Sequence, residues 1–232
     1  ACGRAEKGER RKRAMDEKKE IINRINKIAG RYSPYEVFTD WTRCCALAIS
    51  NAVTAPWKKI RDDREKMYMD TVGRYTKDEV HIFSEMLGLL AVALEKDMRD
   101  VLGDIYMESG MGSKTSGQFF TPFHLSELAA ELSVYGADED GKYRIAEPSC
   151  GGGGMIIATA KALKSRGINY QKKMDVVAQD LDWKGVYMCY LQLGLLGIPA
   201  VCVQGDTLVE PYVKGYPEDR VLYTPAKMGA LM

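Results

Sequence analysis

The chain has 232 residues, 46% of them hydrophobic, enough to bury one large domain or a domain with a subdomain. A formal net charge of +1 supplies no global field, so any nucleic-acid surface has to be local. No apolar run reaches the roughly 18 to 20 residues of a membrane span, residues 1–20 are dominated by charge and carry no signal-peptide pattern, and no membrane partner is expected.

Six cysteines (Cys2, Cys44, Cys45, Cys150, Cys189, Cys202) include no C-x-x-C pair, and the two histidines, His81 and His124, lie far from them in sequence. This pattern argues against a zinc site and a dense disulfide framework. Reduced thiols, a cytoplasmic location and no metal are expected. The chain opens on Ala1 rather than methionine and stops at Met232 soon after a strand-like run, so a fragment is one expectation.

Residues 1–30 hold ten Lys/Arg and five Asp/Glu and almost no apolar residue before Ile21. They read as a basic polar arm, helical at most over 15–28. Such an arm can lie on phosphates, but with both signs of charge present a solvated helix face is the better reading.

Residues 31–110 read as an all-helical subdomain. Ser33, Pro34 and Glu36 form an N-cap, a first-turn proline and a first-turn acid. Val37, Trp41, Cys44, Cys45, Leu47 and Ala48 then recur at helical spacing and predict one buried face. Thr76 and Glu79 form a capping-box pattern ahead of Val80, Phe83, Met86, Leu87, Leu90, Ala91 and Leu94. His81 falls within that helix and reads as packed or exposed, not catalytic. A third helix is predicted over 98–107.

Residues 111–232 read as an α/β domain. A small-residue linker, 111–117, precedes Gln118-Phe-Phe-Thr-Pro122, where Thr121-Pro122 predicts a helix start. Leu125, Leu128, Ala129 and Leu132 are expected on its buried face. Tyr143–Glu147 is a short strand running into Pro148-Ser-Cys-Gly-Gly-Gly-Gly154 and a helix. Two strand–helix alternations follow, with strands over 174–178 and 200–203 and a helix over 184–196, then a last strand over 220–223. Such repetition implies parallel pairing with helices on both faces, and ligands collect outside the carboxyl ends of such strands. Glu147, Asp180, Asp206 and Thr224 are all expected there.

Consecutive glycines at a strand-to-helix turn let a ligand approach the backbone closely and aim helix N–H groups at one spot. Of three nucleotide-like classes, a P-loop needs Gly-Lys-Ser/Thr, which is absent. A dinucleotide fingerprint needs glycine where Ile156 stands, and its acid about 20 residues on, a spacing Asp180 overshoots. S-adenosylmethionine is the third. Its ribose hydroxyls suit a carboxylate at the end of the second strand, its adenine amino group an acceptor at the end of the third, and its methionine part a glycine backbone. Asp180, Asp206 and Gly151–Gly153 stand in those places in that order.

The set Gly117-Gln-Phe-Phe-Thr-Pro122, Glu147-Pro-Ser-Cys-Gly-Gly-Gly-Gly154, Asp180 and Gly205-Asp-Thr-Leu208 resembles the modification (M) subunit of type I restriction–modification systems, gamma-order DNA adenine-N6 methyltransferases. The likeness covers about residues 31–225. It implies an α/β, Rossmann-like parallel sheet of the S-adenosylmethionine-dependent methyltransferase type with an N-terminal all-helical subdomain, and S-adenosylmethionine as cofactor. By position, Gln118, Thr121 and Pro122 would hold the methionine end, and Glu147, Gly151 and Gly153 would form the floor. Asp180 would take the ribose, with Asp182 as a rival and a helix N-cap as its structural alternative, and Asp206 the adenine. Phe119 and Phe120 read as core rather than stacking platforms, and Cys150 as a small buried residue.

The family's Asn/Asp-Pro-Pro-aromatic segment holds the target amino group and stacks a flipped adenine. Here the corresponding residues are Thr224-Pro225-Ala226-Lys227, and no Asn-Pro-Pro-aromatic occurs elsewhere in the sequence. Thr224 and Pro225 are therefore a degenerate catalytic position. The resemblance implies DNA as partner, through a partner subunit or a recognition region not in this sequence, and little activity alone. A methyltransferase acting on a non-DNA substrate and a non-catalytic module of a DNA-modification or mobile-element complex are the alternatives.

Overall fold

Helices come first along the chain and strands second. The computed structural model describes residues 16–53, 58–111, 120–213 and 215–229. The first half of the basic arm, the linker beyond Met111, and Gln118 and Phe119 lie outside the described residues. No helix among the described residues is long and apolar enough to cross a membrane.

Helix α1 (residues 16–28) is not the solvated face expected of it: Ile21, Ile25 and Ile28 are buried. It is held down by Lys18 to Glu108 and by Arg24 to Glu85. Helix α2 (Pro34–Val53) starts as expected, with Ser33 and Glu36 exchanging side-chain-to-backbone hydrogen bonds. It buries Val37, Trp41, Cys44, Cys45 and Leu47, while Ala48 is exposed. Helix α3 (Lys58–Val72) is mostly exposed, but its Arg64 is buried. Helix α4 (Lys77–Lys96) opens on the full Thr76/Glu79 capping box and buries Phe83, Met86, Leu90 and Leu94, with Val80, Leu87 and Ala91 half-buried. Helix α5 (Val101–Glu108) starts later than its apolar pattern suggested, because Asp100 caps it by accepting from the Gly103 N–H.

Helix α6 (Phe123–Ser133) has Pro122 at its N-cap position and no side-chain cap, so Thr121 does not cap it. Its buried face is Phe123, Ser126 and Ala130, packed on helix α7 (Gly154–Ser165). The expected core face is the reverse of that found: Leu125, Leu128 and Leu132 are exposed. The stripe of Phe123, Ser126 and Ala130 is the one laid against α7.

Strands β1 (Tyr143–Glu147), β2 (Met174–Asp180) and β3 (Ala200–Gln204) pair in parallel, with Ile145 opposite Val176 and Val177 opposite Val201. The crossovers are α7 with the short α8 (Tyr170–Lys173), then α9 (Trp183–Leu195). Crossovers between parallel strands are right-handed as a rule, so two that step in one direction place both helices on one face of the sheet, not on both as expected. Met174, Val176, Ala178 and Cys202 belong to that helix-side core. Val201, Val203 and Val221 form a small second cluster with Tyr216 on the other face, covered by a loop.

Strand β4 (Val221–Tyr223) also departs from the expectation, since it runs antiparallel to β3 with Cys202 opposite Leu222. The sheet order is β1-β2-β3-β4. A strand that returns antiparallel ends where its neighbour begins, so Thr224 lies beside Ala200, at the amino end of β3. The helical region and the sheet share one core through α9, against which α2, α4 and α5 pack. Buried Arg64 fastens α3 to the sheet by donating to Ser50 Oγ at 2.9 Å and to the Val221 carbonyl at 2.6 Å.

Candidate functional site

Side chains alternate along a strand, so Glu147 and Asp180 point to the same, helix-side face as Val176 and Ala178. Both end their strands at the carboxyl edge of the sheet. Pro148 has no N–H, which stops the β1 ladder there, and the chain turns. The turn is pinned by the Cys150 N–H to the Gln179 carbonyl at 2.9 Å and the Gly153 N–H to the Cys150 carbonyl at 2.7 Å. Gly151 and Gly153 have φ of +49° and +89°, values that glycine alone takes without strain. The Gly151 N–H donates to Asp180 Oδ2 at 2.8 Å, and the Asp182 N–H to Asp180 Oδ1 at 3.0 Å.

A cavity of about 340 Å³ opens over this turn, lined among others by Thr121, Glu147, Gly151, Gly152 and Asp180. Phe120 forms a wall: its ring meets Tyr106 edge-on at 5.2 Å between centroids, and a Cβ on Gly151 would come 2.6 Å from it. It is therefore both packed and cavity-lining. Burial raises the Glu147 carboxyl above its ordinary range, and the Asp180 carboxylate adds to the rise against opposing bonds from Ser149. The Cys150 thiol is pushed well above its usual value by its hydrogen bond with Cys189 and by burial, which makes it an inert packing group.

The remaining expected residues divide. Asp182 caps α9, accepting from the Lys184 N–H at 2.9 Å, and does not line the cavity, so the cap belongs to Asp182 and not to Asp180. Gly153 lies against Cys189 on α9, and its neighbour Gly152 lines the cavity in its stead. Pro122 is exposed at the start of α6. Asp206 is exposed and outside the cavity lining, with its carboxylate accepting from the Leu208 N–H at 2.9 Å. Its loop nevertheless stays beside the glycine turn, because Thr207 Oγ1 donates to the Pro148 carbonyl at 2.7 Å. His81 and His124 are exposed.

Thr224 and Pro225 are not brought to the cavity. Thr224 is fully buried at the opposite end of the sheet, where its hydroxyl donates to the Ile198 carbonyl at 2.8 Å and accepts from the Ala200 N–H at 2.9 Å. The hydroxyl's proton and one of its lone pairs thus tie the end of β4 to the start of β3 and the residues leading into it. Pro225 packs near Gly194 at the end of α9.

Three residues that sequence reasoning passed over do reach the site. Asp100 and Ser126 line the cavity, and Gln192 of α9 lies beneath it, donating to the Gly152 carbonyl at 2.7 Å and to Asp100 Oδ1 at 2.8 Å. Each carried a signal: an acid just ahead of an apolar helix, a serine inside an amphipathic pattern, and an amide within the apolar run 186–196. Only their convergence was not visible.

The model of the N-6 DNA methylase family matches residues 97–226, more than half of the chain, and that span takes in Asp100, the glycine turn, Asp180, Asp206 and Thr224. Comparison with curated proteins gives no match. Among solved structures, the chain is similar to the type I restriction-modification system methyltransferase subunit from Streptococcus thermophilus, at 12% identity and a TM-score of 0.43, over 89% of this chain and 61% of that one. The chain thus spans under two thirds of that subunit's length.

Proposed function

The chain belongs to the N-6 DNA methylase family, and from that premise we propose that it binds S-adenosylmethionine over its glycine turn as the cofactor-binding part of a DNA adenine-N6 methyltransferase. One observation carries the reading: Asp180 is drawn into the cavity wall by the Gly151 N–H while Glu147 ends the neighbouring strand on the same face. A volume of about 340 Å³ falls within the range of small-ligand pockets. The glycines keep the cavity open, since a Cβ at Gly151 or Gly152 would come within 2.6 Å of Phe120 or Asp100.

In this reading Asp180 accepts from the ribose hydroxyls through the lone pairs its two backbone bonds leave free. Glu147 borders the same region, Gly151 and Gly152 form the floor, and Thr121 and Phe120 wall the cavity. Gln118 and Pro122 belong to the segment leading into that wall. Asp206, on the loop beside Pro148, offers its carboxylate to the adenine amino group. When bound, the cofactor supplies a methyl group activated on a sulfonium.

The same reading assigns this chain little methyl transfer by itself. Thr224-Pro225 is occupied in holding β4, so the group that receives and orients the target adenine comes from elsewhere, with DNA and a partner subunit as the proposed partners. Calorimetric titration with S-adenosylmethionine tests cofactor binding, and folded protein giving neither heat nor thermal shift overturns it. Tritium transfer into duplex DNA tests the second part, and robust labelling of adenine by this chain alone would refute it. Absent labelling together with cofactor-independent capture of DNA would instead favour a non-catalytic module, the reading that Thr224's distance from the cavity also supports.

A further inference from the structure

Asp100 is a buried carboxylate that the fold leaves half-used. It is 4% exposed, and both hydrogen bonds it accepts from described residues, from the Gly103 N–H and from Gln192 Nε2, each at 2.8 Å, fall on Oδ1. Capping α5 and clasping α9 therefore account for one oxygen. The other, Oδ2, accepts none from the described residues, and the whole carboxylate lies against glycine backbone: a Cβ on Gly152 would come 2.6 Å from Oδ1 and 2.8 Å from Oδ2, one on Gly154 3.3 Å from Oδ2, and one on Gly103 closer still to Oδ2. Among the described residues no cation pairs with Asp100. The adjacent Arg99 is turned to Asp104 at 2.6 Å, and Lys161 is divided between Asp97 at 3.0 Å and Glu127 at 2.8 Å.

Ser126 supplies an independent observation. It is fully buried in the first turn of α6, lines the same cavity, and its Oγ has no hydrogen-bond partner among the described residues. A Cβ on Gly154 would lie 3.7 Å from that Oγ, so the hydroxyl and Asp100 Oδ2 flank one glycine. A buried carboxylate with no cation beside it among the described residues, and a buried hydroxyl with no partner among them, each cost free energy that a positively charged donor would recover. An acceptor-only oxygen beside a hydroxyl that can also accept is complemented by a compact positive group bearing several N–H donors.

We propose that Asp100 and Ser126 form the subsite that takes the primary ammonium of the cofactor's amino-acid end. This rests on the S-adenosylmethionine reading above and extends it to a residue of the helical region. Asp100 is thereby a specificity residue, selecting an amino-acid-bearing nucleoside over one without the amine.

The test compares wild type, Asp100→Asn and Ser126→Ala by calorimetry. The probes are S-adenosylhomocysteine, its decarboxylated analogue, which keeps the ammonium, and its deaminated analogue, which keeps the carboxylate. Asparagine retains the oxygen that accepts from Gly103 and Gln192, so the fold is preserved and melting temperature checks it. Asp100→Asn is expected to weaken the first two ligands tenfold or more and leave the deaminated one within twofold. Ser126→Ala is expected to do the same by a smaller factor, and it stands alone if Asp100→Asn does not fold. Equal losses for all three ligands would reduce Asp100 to a structural clasp, and no loss for any would remove it from the site. If wild type binds none of the three, the cofactor reading itself fails, a result distinct from either.

Discussion

The Gly151 N–H donates to Asp180 Oδ2 at 2.8 Å, so the carboxylate at the end of β2 holds the glycine turn at the end of β1. One side chain thus couples the shape of the turn to the group proposed for the ribose. Asp180→Ala is expected to weaken S-adenosylmethionine binding about 10- to 100-fold, the equivalent of about 1.5–3 kcal/mol for hydrogen bonds to a charged acceptor. Calorimetry on folded variant measures it, and an unchanged dissociation constant would move the ribose to another acid.

Gly153 has φ of +89° at the start of α7, and a Cβ there would meet Cys189 Sγ at 3.1 Å. Gly153→Ala combines the left-handed penalty with a close contact and is expected to cost about 1–3 kcal/mol. For a chain of this size that lowers the melting temperature by roughly 2–12 °C. A variant melting with the wild type would mean that the turn relaxes freely.

Thr224→Val removes the hydroxyl that serves the Ile198 carbonyl and the Ala200 N–H in a fully buried position. A loss of about 1–3 kcal/mol in stability is expected, from buried groups left unpaired. Cofactor affinity is expected to stay within twofold, because the strand that carries Thr224 exits at the end of the sheet remote from the cavity. Loss of binding at full stability would return Thr224 to the site.

Burial pushes the Asp100 carboxyl up from the ordinary aspartate range, against opposing bonds from Gln192 and Gly103. A raised acid holds its proton more tightly folded than unfolded, so the unfolded chain binds fewer protons. Stability is therefore greatest below the unfolded value and falls as pH rises from about 4 through the folded value. Asp100→Asn carries no such titration, and its melting temperature is expected to gain on that of the wild type across that rise. A constant difference between the two over the whole range would contradict a carboxyl raised by burial.

The sequence by itself determined the local elements and the place of the strand-end acids. Capping boxes at Ser33 and Thr76, strand-length apolar runs and paired glycines act over a few residues, so their meaning does not depend on what packs against them. Glu147 and Asp180 were legible for the same reason, since a strand's end fixes where its last side chain lies. Tertiary structure decided what depends on direction and on partners. Leu125, Leu128 and Leu132 match a buried stripe in period, yet α6 lays Phe123, Ser126 and Ala130 against α7 and leaves the leucines outside. Three residues at 221–223 spell a strand but not its sense, and antiparallel pairing with β3 carried Thr224 to the far end of the sheet. Asp100, Ser126 and the glycine turn come from three separate stretches. Only packing through α9, with Gln192 bonded to both Asp100 and Gly152, brings the acid beneath the turn.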